Sequence, residues 1–598
     1  MPILGSTECR PIGDCAAPFP PAGATIFVDA SFTTTDATHF TSLFDAVQSA
    51  NKNDVVAISP GTYVDDVDIM RSNVTVVGKC AAEVIVKNPG DRRAGILVAS
   101  GAKGVKVRGV TLTGHYSGII VKGASEATLE DSIIVKSRYL GAYVAEAGSR
   151  LRVARTHIDD VVADAGKFGW GAAAQLGGAI ELEDVVVDAA TTTGILAGGP
   201  KSTGKLTRVV VRSPRSDTTA DSIASASALS VVDSAVVELD GAYFTDMSGS
   251  GVSVSGGVLN ARHLVVTDTK APTTDSGRGL QVSMKGRLDL SESLVAESDE
   301  ANVLVIGPGS TATITTSVVR GAGPRGNTGI RAASGGTFVL TSSALVDNVD
   351  TGLGLQDVGS HATVDGVLVI GTRARVVTGQ GMAPPLGIGV GVTFGSTLDM
   401  ARSSIVKNQA AGILVASASS AGGDPAHAEI KSTLVLRTMP SATSAFGRGV
   451  QVSRGGTATL DGCALVENNE VSLLVGLEGA RAVVRNTLVR GTSLAQGIFG
   501  HGVVAQGEGT LSLDGAWLLD HAGIAVVVSA GTATITRSLV ARSKIGIHVQ
   551  GGSTLRAADV VPAEPESLAC IVSNDTRFLE NQTRVGSGEV PLPSPLGN

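Results

Sequence analysis

The sequence predicts an all-β solenoid, a single-stranded parallel β-helix of about eighteen coils, and three observations carry that expectation. A phrase of opening glycine, aliphatic run, small-residue turn and two more alternating runs recurs along most of the chain. GIIVKGASEATLEDSIIV (Gly118 to Val135), GLQVSMKGRLDLSESLV (Gly279 to Val295) and GVQVSRGGTATLDGCALV (Gly449 to Val466) are three copies. Within each copy apolar residues alternate with polar ones, the period of a strand and not of a helix. The composition agrees: there are 76 glycines among 598 residues, and aromatic residues make up only 3%. A narrow coil interior is filled by Val, Ile, Leu, Ala and Ser, so few rings are needed.

The same composition excludes other classes. A mean hydropathy of +0.25 argues against disorder, and the glycines lack the strict third-position period of collagen. No run of about 18 apolar residues spans a membrane as a helix. Net charge is −8 without a basic block, so no nucleic-acid partner is expected. The start MPILGSTEC has no secretory signal pattern.

Taking the elements in order, residues 1–40 read as an N-terminal arm and 41–94 as a cap. Phe40, Leu43, Phe44 and Val47 fall at helical spacing within Phe40–Ala50. A covering helix is what an open solenoid end requires, because unpaired strand edges would otherwise be exposed. The strand Asp54–Ile58 and the turn Ser59-Pro60-Gly61-Thr62-Tyr63 follow. The β-helix is expected over 95–558, with openers from Gly95, Gly118 and Gly141 on to Gly387, Gly412, Gly449, Gly502, Gly523 and Gly546. Their spacing is most often about 23 residues, and the glycines are expected at corners needing positive φ or tight backbone approach. At ~4.8 Å per coil the rod would be about 85 Å long. One column of the third strand, including Leu112, Ile134, Ile158, Val187, Val211, Phe244 and Leu264, is apolar throughout and should face inward. Two positions earlier lies a small-residue column with Ser132, Ser317, Ser343 and Cys463, plus Arg262 as an outlier, so Cys463 reads as a buried thiol. Residues 559–598 form an irregular last coil and a Pro-rich tail, Val590-Pro591-Leu592-Pro593-Ser594-Pro595.

This layout resembles the pectin-lyase-like right-handed parallel β-helix superfamily: helix, apolar strand, P-G-T-Y, then Asn73-Val74-Thr75-Val76-Val77-Gly78, followed by the coils. The resemblance covers roughly 25–560 and implies right-handedness. It also implies enzymes whose motifs the chain lacks. Gly500-His501-Gly502 matches one polygalacturonase element alone, Arg212-Ser213-Pro214-Arg215 misses the pectate-lyase base motif, and Asp424-Pro425-Ala426-His427 breaks the alginate-epimerase motif. Asp65-Asp66 and Asp159-Asp160 are adjacent carboxylates expected to be solvated, and no histidine pattern suggests a metal or cofactor.

Long insertions, 159–170, 212–225, 267–278, 320–328, 370–386, 436–448 and 490–501, all enter between the third strand and the next opener, and so should share one flank. That flank carries Arg212, Arg320, Arg373, Arg437 and Arg490, with Arg278 and Arg448 in Gly-Arg-Gly turns, and Trp170 and His501 beside them. These are the candidate binding residues for an anionic polysaccharide. The outward neighbours of the third-strand column, among them Ile133, Val186, Val210, Leu368 and Trp517, are more apolar than a wet face allows, and folded-back insertions are expected to cover them. Cys80 is expected to pair with Cys9 or Cys15 in an oxidising compartment, Cys15–Cys80 being the disulfide nominated. The leading expectation is a bacterial, extracellular or cell-surface, non-catalytic structural or binding protein that engages a polysaccharide or a surface protein. The alternatives are a polysaccharide lyase or glycoside hydrolase with an unfamiliar site, and a self-associating filament or surface-layer subunit.

Overall fold

The computed structural model describes residues 4, 8–90, 93–164, 168–216, 226–271, 277–322, 328–375, 387–417, 424–440, 446–495, 497–557, 568–586 and 588–594. The chain divides into two compact units, 1–298 and 299–598, and each is a right-handed parallel β-helix. A coil is three short strands joined by tight corners, paired in register with the coil above and below. In the first unit, Ser117–Val121, Glu126–Glu130 and Ile133–Val135 lie on Leu140–Ala145, Arg150–Ala154 and His157–Asp159. The partners are Ile119↔Ala142, Leu129↔Val153 and Ile134↔Ile158. Period-2 alternation then sends every second side chain inward, and Ile119, Leu129 and Ile134 are fully buried.

The column expected to face inward does so, with one change of register. Phe244 pairs with Val266, so Val266 holds the place expected for Leu264, and Leu264 falls in the small-residue column expected to hold Arg262. Arg262 is exposed and reaches Asp240. The small column is a hydrogen-bonded ladder: Ser343 Oγ donates to the Thr341 carbonyl at 2.7 Å and accepts the Ser317 N–H at 3.1 Å. Cys463 sits in it, and burial pushes its thiol pKa up.

Of the two causes expected for the opening glycines, tight backbone approach is the one found, and positive φ is not. The corners are turned mostly by non-glycine residues at positive φ, such as Asp160 (52°) and Ala189 (51°). The openers instead stack one over another. A Cβ on Gly141 would lie 2.2 Å from the carbonyl oxygen of Gly171, and one on Gly412 2.6 Å from that of Gly449, closer than real contacts allow. Gly389 and Ala525, not Gly387 and Gly523, hold the ladder positions in their coils.

The cap helix is shorter than expected, Leu43–Ser49, with Ser42 accepting the Asp45 N–H; Phe40 belongs to a strand instead. Leu43, Ala46 and Val47 are buried against the end of the core. Asp65 is not a solvated turn residue: it accepts the Leu43 N–H at 2.8 Å, and burial raises its pKa. Asp66 is buried and paired with Arg93. Cys15 and Cys80 form a disulfide that ties the N-terminal arm down. The arm continues with Gly13 against Asp131 and Leu4 against Gly241.

In the second unit the last coil is regular: Ala569–Val572, Arg577–Leu579 and Thr583–Gly586 pair with the strands before them. The segment 588–594 then turns back over the outer face of the first strands, where Val590 and Leu592 pack on Val471, Leu474, Val504, Ile524 and Val527.

Among the described residues the apolar outer column is covered in part only. In the first unit Val186 and Val210 are buried, and Cys9 of the N-terminal arm lies near Arg212 in the strand that carries Val210. In the second unit Leu368 is 36% and Trp517 57% exposed. Among the described residues no helix is long and apolar enough to cross a membrane.

Candidate functional site

The strongest convergence of ionisable groups in the first unit lies at the ends of three consecutive third strands, His157–Asp159, Val186–Asp188 and Thr203–Arg212. Strict stacking builds it. Asp159 pairs with Asp188 and Asp188 with Arg212, which places all three side chains in one outward column, while His157 stands two residues along, on the same face. His157 Nε2 lies 2.9 Å from Asp188 Oδ2, and Arg212 grips the same carboxylate through Nε at 2.7 Å and Nη2 at 2.6 Å. Burial alone would raise the Asp188 pKa, but the hydrogen bonds from His157 and Arg212 outweigh it and hold the carboxylate below its usual value. Its hydrogen bond to Asp188 raises the Arg212 pKa, and the nearby Cys9 of the N-terminal arm adds to that.

Asp159 brings a second carboxylate: ligand atoms of His157, Asp159 and Asp188 all lie within 4.8 Å of one another. Such a set is able to hold a cation. However, Arg212 already neutralises Asp188 with two charge-assisted bonds, so the arrangement works as a relay of Arg212, Asp188 and His157. Asp160, the second of the adjacent pair, is bound by Arg215 at 2.6 Å. Neither Asp159 nor Asp160 is the isolated solvated group expected from the sequence.

Across the following corner, the first coil of the relay and the two coils before it carry aromatic rings. Tyr116 and Tyr139 are stacked with centroids 4.7 Å apart, Phe168 meets Tyr139 edge-on at 4.6 Å, and Trp170 meets Phe168 at 4.3 Å. Burial, then the neighbouring Tyr116, raises the Tyr139 phenol pKa. Thr192, four residues after Asp188, donates to the Phe168 carbonyl at 2.7 Å. Relay and ring ladder therefore flank one corner of the first unit. On the second strands of that unit a separate groove of about 570 Å³ is lined by Lys106, Arg152 and Lys205 alternating with Glu126, Glu181 and Glu238.

The expected binding arginines do not form an open cationic row. Arg212 belongs to the relay. Arg437 pairs with Glu467 and Arg490 with Asp520, each across to the next coil. Arg278 and Arg448 lie on strands and not in turns; Arg278 reaches Gln281 at 2.9 Å. Arg448 is fully buried, doubly bonded to Glu470. Arg320 is exposed on a third strand, and Arg373 is exposed in the corner after one, bridged to Val349. Trp170 joins the ring ladder, whereas His501 is buried in the second unit. Burial lowers its pKa to about 4, so it is neutral near pH 7. Parts of the expected insertions (165–167, 217–225, 272–276, 323–327, 376–386, 441–445 and 496) lie outside the described residues. Sequence reading passed over His157 and Asp188. The only available signal was that each stands where its third strand should show an aliphatic or neutral residue.

No family model and no curated protein matches this chain. Among solved structures it is similar in fold to an alginate lyase from Paenibacillus sp. str. FPU-7, at 13% identity and a TM-score of 0.32, over 46% of this chain and 91% of that one. A GH87 alpha-1,3-glucanase catalytic unit from Streptomyces thermodiastaticus strain HF3-3 gives 12% and 0.29, over 75% and 69%. The A-module of an Azotobacter vinelandii mannuronan C-5 epimerase gives 13% and 0.21, over 70% and 92%. The fold is a right-handed parallel β-helix, as the sequence suggested. These three proteins are a lyase, a glucanase and an epimerase, and on that finding the expectation of a non-catalytic structural or binding protein is corrected. At such identities no residue role passes from them to this chain.

Proposed function

We propose that this chain is a carbohydrate-active enzyme of the polysaccharide-lyase kind, acting on a uronate-containing chain outside the cell or at its surface. The observation that carries the reading is the His157–Asp188–Arg212 relay with Asp159 beside it. Asp188 orients the imidazole and stabilises the imidazolium, so His157 is equipped as a general base. It would take the proton from C5 of a uronate residue. The electron pair left behind forms the C4–C5 double bond, the C4–O4 bond breaks, and the imidazolium returns its proton to the leaving oxygen. Arg212 keeps its Nη1 donors beyond the pair given to Asp188, and they are suited to the substrate carboxylate. The ring ladder offers a stacking platform for neighbouring sugars.

A retaining or inverting hydrolase needs one carboxyl kept protonated. Asp188, held ionised by two partners, does not serve as that acid. The test is incubation with alginate, pectate and glycosaminoglycans, following ultraviolet absorbance of unsaturated uronate ends. Growth of absorbance that His157→Ala abolishes supports the reading. New reducing ends without absorbance would move it to hydrolysis, and no product from any acidic polysaccharide would overturn it.

A further inference from the structure

The outer face of the first strands in the second unit is built as a receptor for an extended chain, and segment 588–594 occupies it. Gln550 treats that segment as a peptide. Its Oε1 accepts the Val590 N–H at 2.8 Å, and its Nε2 donates to the Val590 carbonyl at 3.1 Å. Gln506 makes half of the same pair three residues later, donating through Nε2 to the Pro593 carbonyl at 2.7 Å. Its Oε1 is buried and has no partner among the described residues. The reason is chemical: residue 593 is proline, whose nitrogen carries no hydrogen to donate.

The spacing is also that of a peptide. Gln506 and Gln550 stand in one column with Ser529 between them, two coil spacings or about 9.6 Å apart. One turn of polyproline II, three residues, advances about 9.3 Å. A polyproline-type chain lying along this face therefore presents the same edge to both glutamines. Between them Val590 and Leu592 enter the apolar bed of Val471, Leu474, Val504, Ile524 and Val527. Arg448, its charge balanced by Glu470, donates to the Ser594 carbonyl. His501 faces the same segment: a hydrogen bond to the Pro591 backbone works against the lowering of its pKa by burial.

We propose that this face is a binding groove for an extended proline-rich peptide of a partner protein. The ligand carries apolar residues two apart and, three residues after the first of them, a non-proline residue whose N–H completes the Gln506 pair. The chain's own tail is an imperfect, displaceable occupant. Two labelled peptides test this on the full chain by fluorescence anisotropy: Gly-Glu-Val-Pro-Leu-Pro-Ser, and the same peptide carrying the Pro593→Ala change. One added hydrogen bond predicts about 3- to 10-fold tighter binding of the alanine peptide. Gln506→Leu should abolish that preference. The tethered tail competes at roughly millimolar effective concentration, so the titration is repeated on Leu592→Asp, whose tail is weakened. Equal affinity of the two peptides, a preference that survives Gln506→Leu, or no binding to Leu592→Asp would each overturn the proposal.

Discussion

The two ends of this chain solve the same problem by different means. In the first unit the N-terminal arm covers outward apolar residues, and the Cys15–Cys80 disulfide fixes it there, with Lys79 also bonded to the Ala17 carbonyl. In the second unit the tail covers an apolar bed with Val590 and Leu592 and is held by side-chain hydrogen bonds without a cross-link, leaving the buried Gln506 Oε1 unmatched beneath it. A cover that must stay is cross-linked and well matched. A cover that can leave is neither. The arm also lies beside the proposed catalytic relay, since Cys9 contributes to the charge felt by Arg212.

The largest effect should separate the two regions by activity. His157→Ala is expected to lower turnover of a uronate polymer by about 100- to 10,000-fold, while Gln506→Leu leaves turnover unchanged; equal losses in both variants would refute the division of labour. Next is stability in the second unit. Arg448→Ala strands Glu470 as a buried, unpaired carboxylate and should cost about 3–5 kcal/mol in denaturant unfolding. Arg437→Ala, which breaks an exposed pair, should cost less than about 1 kcal/mol. Opening the disulfide frees a 65-residue separation, worth about 4 kcal/mol in the chain-entropy account. Cys15→Ser should also raise binding of an apolar dye as Val186 and Val210 are uncovered, whereas reductant should leave the tail of the second unit in place.

The smallest expected effect is on pH. Burial holds His501 neutral down to about pH 4 against an ordinary value of 6.5. Between those values the unfolded chain binds a proton that the folded chain refuses. Its contribution to stability is therefore complete above 6.5 and is lost progressively as pH falls to about 4. Protection of the Val590 and Leu592 amides, relative to their intrinsic exchange at each pH, should fall over that window, and constant protection would show that the tail does not feel His501.

The fold was legible because alternation and repetition are local patterns that every coil repeats, and a column such as Ile134, Ile158 and Val187 records the stacking directly. The glycine rule was half legible: the positions were visible, but the reason lay in the coil above, as Gly141 under Gly171 shows. The site was harder to see because it is made by stacking and not by sequence proximity. His157, Asp188 and Arg212 are spread over more than fifty residues and meet only once the register is known. Arginines drew attention by their number, yet the next coil supplies carboxylates for Arg437 and Arg490. Arg448 looked like a turn residue because its flanking glycines belong to the ladder and to a strand start.

The stacked glycines carry a consequence for how such a chain changes over time. Where each opener has no room for a Cβ because of its neighbour's carbonyl, a substitution in one coil is answered by the next coil and not by local adjustment. Duplicating or deleting a whole turn keeps the opener column in register, while losing part of a turn does not. The heritable unit of growth is therefore the complete coil, and diversification falls to the outward side chains of the strands, where both proposed sites are built.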